Sequence, residues 1–193
     1  MAPPLPGYDP NQLPADLVAP PDDGAAAHLV GTVVPAVSLQ SSDGARVDLS
    51  RQTGRTVVYA YPRTGRPDEA PLVSDWDAIP GARGCTPQAC DFRDHHADLA
   101  AAGARVLGLS TQDTAYQREA VDRLHLPFAL LSDDGLALSR ALRLPTLEVA
   151  GQVLLRRLTM VVTDAVIEHV WYPVFPPHTH AEDVLTWLRS NPR

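Results

Sequence analysis

Cys85 and Cys90 are the only two cysteines of the chain. A pair at this close spacing, in a reduced compartment, points to catalysis or metal binding rather than to a structural staple. Thr86-Pro87 reads as a helix start, with Thr86 as N-cap and Pro87 at the first helical position. Cys85 therefore lies just before, or in, the first turn. A helix N-terminus carries free N–H groups and partial positive charge. A thiol placed there has its thiolate favoured, and the thiolate is the nucleophile. Arg83 and Arg93 are near in sequence and can add to that field. Five residues of ideal helix rise about 7.5 Å and turn about 140°, which sets the two Cα atoms roughly 8.6 Å apart. A disulfide needs them within about 7 Å. If the pair bonds, the first turns of the helix must unwind.

Two other readings of the cysteines stay open at this point. With His95 and His96 they could be zinc ligands, although side chains five apart fan around a helix and structural sites prefer cysteines two to four apart. They could also be inert, packed as small hydrophobes. His178-Thr179-His180 at a later helix start reads as capping and solvent exposure rather than as a metal site.

The elements around this segment follow from periodicity. Val33 to Leu39 alternates, Asp43-Gly44 marks a turn, and Arg46 to Leu49 follows, which predicts a hairpin. Thr56 to Tyr61 is β-branched and aromatic and predicts a buried strand. A Pro/Gly-punctuated loop with Trp76 separates it from the cysteines. Phe92, His96, Leu99 and Gly103 recur at helical spacing, so one helix is expected to run to Gly103. A strand over Arg105–Ser110, a helix over Asp113–Leu124, a strand over Phe128–Leu131 and a short helix over Leu136–Leu142 come next. Arg157–Thr163 and Ile167–Tyr172 read as paired antiparallel strands. Thr179 and Glu182 form the pattern of a capping box for a last helix ending near Arg189. Strands alternating with helices imply an α/β domain, and the closing hairpin makes its central sheet mixed.

Composition sets further bounds. The chain has 193 residues, 45% of them apolar, with a formal net charge of −7. That acidity argues against nucleic acid as a partner. All 16 basic residues are arginine, which excludes Schiff-base chemistry, a phosphate-loop lysine and a kinase lysine. Gly108 and its neighbours make no dinucleotide fingerprint, so no cofactor is expected. No apolar run of about 18 residues suggests a membrane span. Met1 to Pro6 lacks the basic and apolar regions of a signal peptide, which predicts the cytoplasm. Residues 1–27 show no periodicity and read as an extended or poorly ordered arm ahead of a domain over 28–193.

The run from Gly84 to His95, Gly-Cys-Thr-Pro-Gln-Ala-Cys-Asp-Phe-Arg-Asp-His, resembles the active-site segment of the peroxiredoxin Q subfamily, also called bacterioferritin comigratory proteins. Gly31 to Leu49, Val57 to Pro62, Val106 to Thr111, Leu130 to Asp133 and Arg157 to Val162 are similar to further blocks of that subfamily, in the same order. The resemblance covers about residues 31–190. It implies a thioredoxin-like fold and a thiol-dependent peroxidase. Cys85 would be the peroxidatic cysteine, oxidised by hydrogen peroxide or an organic hydroperoxide to a sulfenic acid. Cys90 would be the resolving cysteine that forms a disulfide with it, and a thioredoxin-like dithiol would reduce that disulfide. Arg157 matches the arginine that supports the thiolate, with Arg156 next to it in sequence if the register slips. A monomer is expected by the same resemblance. The subfamily keeps Thr or Ser three residues before the peroxidatic cysteine and Pro seven before it; here Ala82 and Ala78 stand there. Pro62-x-Thr64 follows the strand instead, with an inserted loop at about 63–84, so Thr64 is expected to fold back and supply the missing hydroxyl, the alternative being that backbone N–H groups and Arg157 suffice. The loss at position 82 keeps a second expectation alive, a peroxide sensor or binding module on the same fold without efficient turnover.

Overall fold

The computed structural model describes residues 8–193. Residues 1–7, the start of the arm and the stretch read for a signal peptide, lie outside the described residues. The run Arg-Thr-Val-Val-Tyr-Ala forms β3 (Arg55–Ala60), buried along its whole length. A strand buried on both faces belongs at the centre of a sheet. It pairs parallel with β4 (Ala104–Ser110) and antiparallel with β8 (Leu158–Thr163). β1 (Ser38–Ser41), β2 (Arg46–Asp48), β5 (Leu130–Ser132) and β9 (Val166–Trp171) complete a mixed seven-stranded sheet, ordered β2-β1-β5-β4-β3-β8-β9. β1 and β2 are the expected N-terminal hairpin. This is the thioredoxin-like α/β fold.

Side chains alternate across β3 and build two cores. Val57 and Tyr59 face one core with α1 (Cys85–Asp94), α2 (His96–Ala101), α3 (Thr114–Leu124) and α5 (His180–Ser190). Val58 and Ala60 face the other with α4 (Ala137–Leu142). Tyr59 stacks on Phe92 of α1, ring centroids 4.6 Å apart. That contact fixes the helix bearing both cysteines against the central strand. No helix among the described residues is long and apolar enough to cross a membrane.

Four local expectations need correction. The helix does not run unbroken to Gly103. It breaks at His95 (φ −97, ψ 5), where the Asp91 carbonyl oxygen is shared by the His95 N–H at 3.1 Å and the ring Nδ1 at 3.0 Å. The N-cap of α1 is Gly84, in the left-handed region at φ 103, not Thr86. The helix starts earlier because the Gln88 N–H donates to the Gly84 carbonyl at 3.0 Å. Pro87 is still tolerated, since first-turn N–H groups have no helical partner to lose. The capping box at Thr179 does not form. Asp91 of α1 instead accepts from the Ala181 N–H of α5 at 2.6 Å. Finally, an antiparallel hairpin of β6 (Thr146–Val149) and β7 (Gln152–Leu155), absent from the sequence reading, precedes Arg157. Its turn holds Ala150 and Gly151 at φ 50 and 75.

The arm packs onto the domain. From its described part, Ala26 is buried in the second core and Asp23 accepts from the Tyr172 hydroxyl at 2.9 Å. Gly108 shows how tightly the first core is filled. A Cβ there would collide with Leu130 Cδ2 and come within 2.9 Å of the Tyr59 hydroxyl. Gly108→Ala should therefore displace Tyr59 from Phe92 and cost about 1–3 kcal/mol, the usual penalty of overpacking. Urea denaturation measures this; a stability equal to the parent's would show that the stack is not so constrained.

Candidate active site

Cys85 is the first residue of α1, so its sulfur sits where the helix presents unpaired N–H groups. The side chain is buried and the thiol is free. Gly84 makes this placement possible. Its φ of 103 is one that L side chains rarely adopt, and a Cβ there would approach Pro177 Cγ to 2.5 Å. The sulfur has three neighbours within hydrogen-bonding distance. Arg157 Nη2 donates to it at 3.2 Å and the Arg63 N–H at 3.4 Å, while the thiol itself points to the Ala82 carbonyl at 3.5 Å.

Arg157 lies in the short break between β7 and β8 and is buried at 3% exposure. Nη1 donates to the Gln88 side-chain oxygen. Nη2 donates to the Arg83 carbonyl at 3.0 Å, with the Gly81 and Ala82 carbonyls at 3.2 and 3.4 Å. These contacts hold the guanidinium flat beside Cys85. Arg156 points elsewhere and donates to the Thr146 carbonyl. Gln88 was not singled out from sequence. It sits three residues after Cys85 on one helix, a spacing that shares a face and could have flagged it.

Thr64 is buried close to the site, yet its hydroxyl serves another partner. The hydroxyl and the Thr64 N–H both donate to Gln112 Oε1 at 3.0 Å, and Gln112 Nε2 donates back to the Thr64 carbonyl at 3.3 Å. Gln112 thus clamps the turn that aims the Arg63 amide at the sulfur. A lone glutamine at the end of a strand carries no sequence signal for this role. Trp76 of the inserted loop packs with Ala82, Val149 and Leu154, which joins the loop to the β6–β7 hairpin.

Cys90 lies further along α1, half-buried and free. Burial pushes its thiol up from the ordinary value, and the nearby Arg93 charge opposes this. With α1 continuous through both cysteines, neither can reach the other without unwinding. Among the described residues, no group of three or more His, Cys, Asp or Glu could hold a metal ion.

His180, expected to be exposed, is 3% exposed. Its ring packs edge-on to Phe92 and Trp171 because α5 begins against α1. Burial, with the Arg157 charge second, pulls its pKa down to about 3.

The profile of the Redoxin family matches residues 29–185. The chain is 34% identical over 161 residues to the chloroplastic peroxiredoxin Q of Oryza sativa subsp. japonica, covering 83% of this chain and 66% of that protein. It is 30% identical over 183 residues to the chloroplastic peroxiredoxin Q of Gentiana triflora, covering 92% and 76%. Among solved structures, the peroxidoxin BcpB of Mycobacterium tuberculosis superposes with a TM-score of 0.68 at 25% identity, over 85% of this chain and 98% of that one. A peroxiredoxin Q of Xanthomonas campestris shares the fold, with a TM-score of 0.65 at 22% identity over 92% and 99%.

The lowered pKa of His180 has a consequence for stability. Folded His180 stays neutral down to about pH 3, while an unfolded histidine gains its proton near 6.5. Between those values the unfolded state binds the extra proton, so stability falls as pH drops below 6.5, by about 2 kcal/mol at pH 5. His180→Phe should flatten the acid side of the stability curve by that order. Denaturant titrations at pH 7 and 5 give the comparison; equal slopes in both proteins would contradict the assignment.

Proposed function

The chain belongs to the Redoxin family, in its peroxiredoxin Q/bacterioferritin comigratory protein subfamily, and from that premise we propose that it is a thiol-dependent peroxidase acting through Cys85. The observation that carries this reading is the Cys85 sulfur at a helix N-terminus with Arg157 Nη2 at 3.2 Å and the Arg63 N–H at 3.4 Å. Charge-assisted donors aimed at a buried sulfur favour negative charge on it. The same donors can polarise a peroxide oxygen as the O–O bond lengthens.

In the proposed cycle the Cys85 thiolate attacks one oxygen of a hydroperoxide. The O–O bond breaks, the alcohol or water leaves with a proton, and Cys85 becomes a sulfenic acid. The first turns of α1 then unwind. The Cys90 sulfur attacks the Cys85 sulfur, an S–S bond forms and water departs. A thioredoxin-like dithiol reduces the disulfide by thiol exchange, becoming oxidised itself. The raised pKa of the Cys90 thiol suits a group that stays protonated until α1 opens and exposes it. Thr64 enters this scheme as a clamp, through Gln112, on the turn that presents the Arg63 amide. Every residue needed comes from one chain, which fits a monomer. A reducing compartment such as the cytoplasm suits the free cysteines, whereas the plant relatives are named as chloroplastic.

Peroxide consumption with a thioredoxin system, comparing the parent with Cys85→Ser and Cys90→Ser, tests the reading. Cys85→Ser is expected to be inactive, and Cys90→Ser to complete a single turnover with that system. Oxidation of Cys85 in the parent without any turnover would replace the peroxidase reading with that of a sensor.

A further inference from the structure

The N-terminal arm backs the loop that leads into Cys85. In that loop the Gly81, Ala82 and Arg83 carbonyls face Arg157 Nη2 at 3.2, 3.4 and 3.0 Å. The arm lies behind both ends of this row. At Gly81 an added Cβ would meet Pro20 Cγ at 3.3 Å, and at Gly84 it would meet Leu13 Cδ2 at 3.0 Å. Between them the buried Arg83 side chain enters the arm. Its Nη2 donates to the Asp9 and Gln12 carbonyls at 2.5 and 2.9 Å, and its guanidinium lies 4.4 Å from the centre of the Tyr8 ring. Asp77 Oδ1 lies 3.2 Å from Nη1. One residue thus binds in two directions: its side chain holds the arm, and its carbonyl holds Arg157.

We propose that Arg83 is a positioning residue for the reaction: through it the arm, over residues 8–20, fixes the carbonyl row that keeps Arg157 at the Cys85 sulfur. This rests on the peroxidase reading above and adds to it the element that keeps the site preformed. Residues 81–84 belong to no helix or strand. Gly81 and Gly84 both stand in the left-handed region, at φ 79 and 103. Two glycines leave a loop several backbone conformations. The arm selects the one that turns the three carbonyls to Arg157. Misplacing a reacting constellation by about 1 Å can cost about 100-fold in rate. Arg83 resists such a shift, because a displaced loop leaves a buried cation without its carbonyl acceptors.

The test is a double-mutant cycle on the second-order rate of Cys85 oxidation by hydrogen peroxide. It uses the full chain in the Cys90→Ser background, with Arg83→Met, Arg157→Gln and both together. Thermal melts check that each is folded. Arg83→Met should slow oxidation about tenfold where Arg157 is present, within the range for residues that share a network. Where Arg157 is already glutamine, it should change the rate by less than about twofold. Leu13→Asn loosens the arm and leaves the charge of the site unaltered. It should slow oxidation at least about threefold, again only with Arg157 in place, and it carries the test if Arg83→Met does not fold. Equal slowing in both backgrounds would mean that Arg83 acts by its own charge or by general loosening, and would overturn the proposal. Unchanged rates in the folded variants would overturn it too. The peroxidase reading stands in either case. It falls, and the proposal with it, if hydrogen peroxide does not oxidise Cys85 in the Cys90→Ser protein.

Discussion

A buried guanidinium is the constraint on which this site depends. Arg157 is held among the carbonyls of residues 81–83, the Gln88 amide oxygen and the Cys85 sulfur. A buried cation is costly unless it is fully hydrogen-bonded or paired. The carbonyls and the amide take up the Nη1 and Nη2 donors without cancelling the charge, while Nε has no partner among the described residues. Of these partners only the sulfur can itself become an anion, so the field of the residual charge falls on the atom that does the proposed chemistry.

The fold supplies each member of that arrangement from a different element. The break between β7 and β8 releases Arg157 from ladder pairing, so its side chain can cross to the cysteine loop. Left-handed Gly84 turns that loop under Pro177 and starts α1 at Cys85. Tyr59 and Phe92 hold α1 to the central strand, and the Asp91–Ala181 bond ties it to α5. In the proposed cycle the same helix opens for Cys90 to reach Cys85. Its anchors to β3 and α5 lie at Asp91 and Phe92, just past Cys90, so the turn between the cysteines can unwind while the rest stays docked.

Much of this was legible in the sequence, because it depended on local signals. Alternation and β-branching marked the strands, and Thr86-Pro87 marked a helix start beside a cysteine. What escaped depended on tertiary contact. The β6–β7 hairpin turns on Ala150-Gly151, and an alanine at positive φ carries no turn signature. His180 looked like an exposed cap residue until α5 was seen docked on Phe92 and Trp171. The Thr179/Glu182 pattern fitted a capping box, but Asp91 from another helix took the Ala181 N–H. Thr64 was expected to supply the missing hydroxyl; that Gln112 takes that hydroxyl depended on a residue 48 positions away. The arm showed no periodicity because it is held through backbone carbonyls and single side chains rather than through an apolar face.

The central claim is that the fixed guanidinium of Arg157 activates the sulfur of Cys85. The most direct measurement is the second-order rate of Cys85 oxidation by one equivalent of hydrogen peroxide in a single turnover. It is made in the Cys90→Ser background with and without Arg157→Gln. Loss of a preorganised charged donor should slow the step by about 10²–10³-fold. A rate within a factor of about two of the parent's, in a folded variant, would contradict the account, since that is well under 1 kcal/mol of transition-state stabilisation.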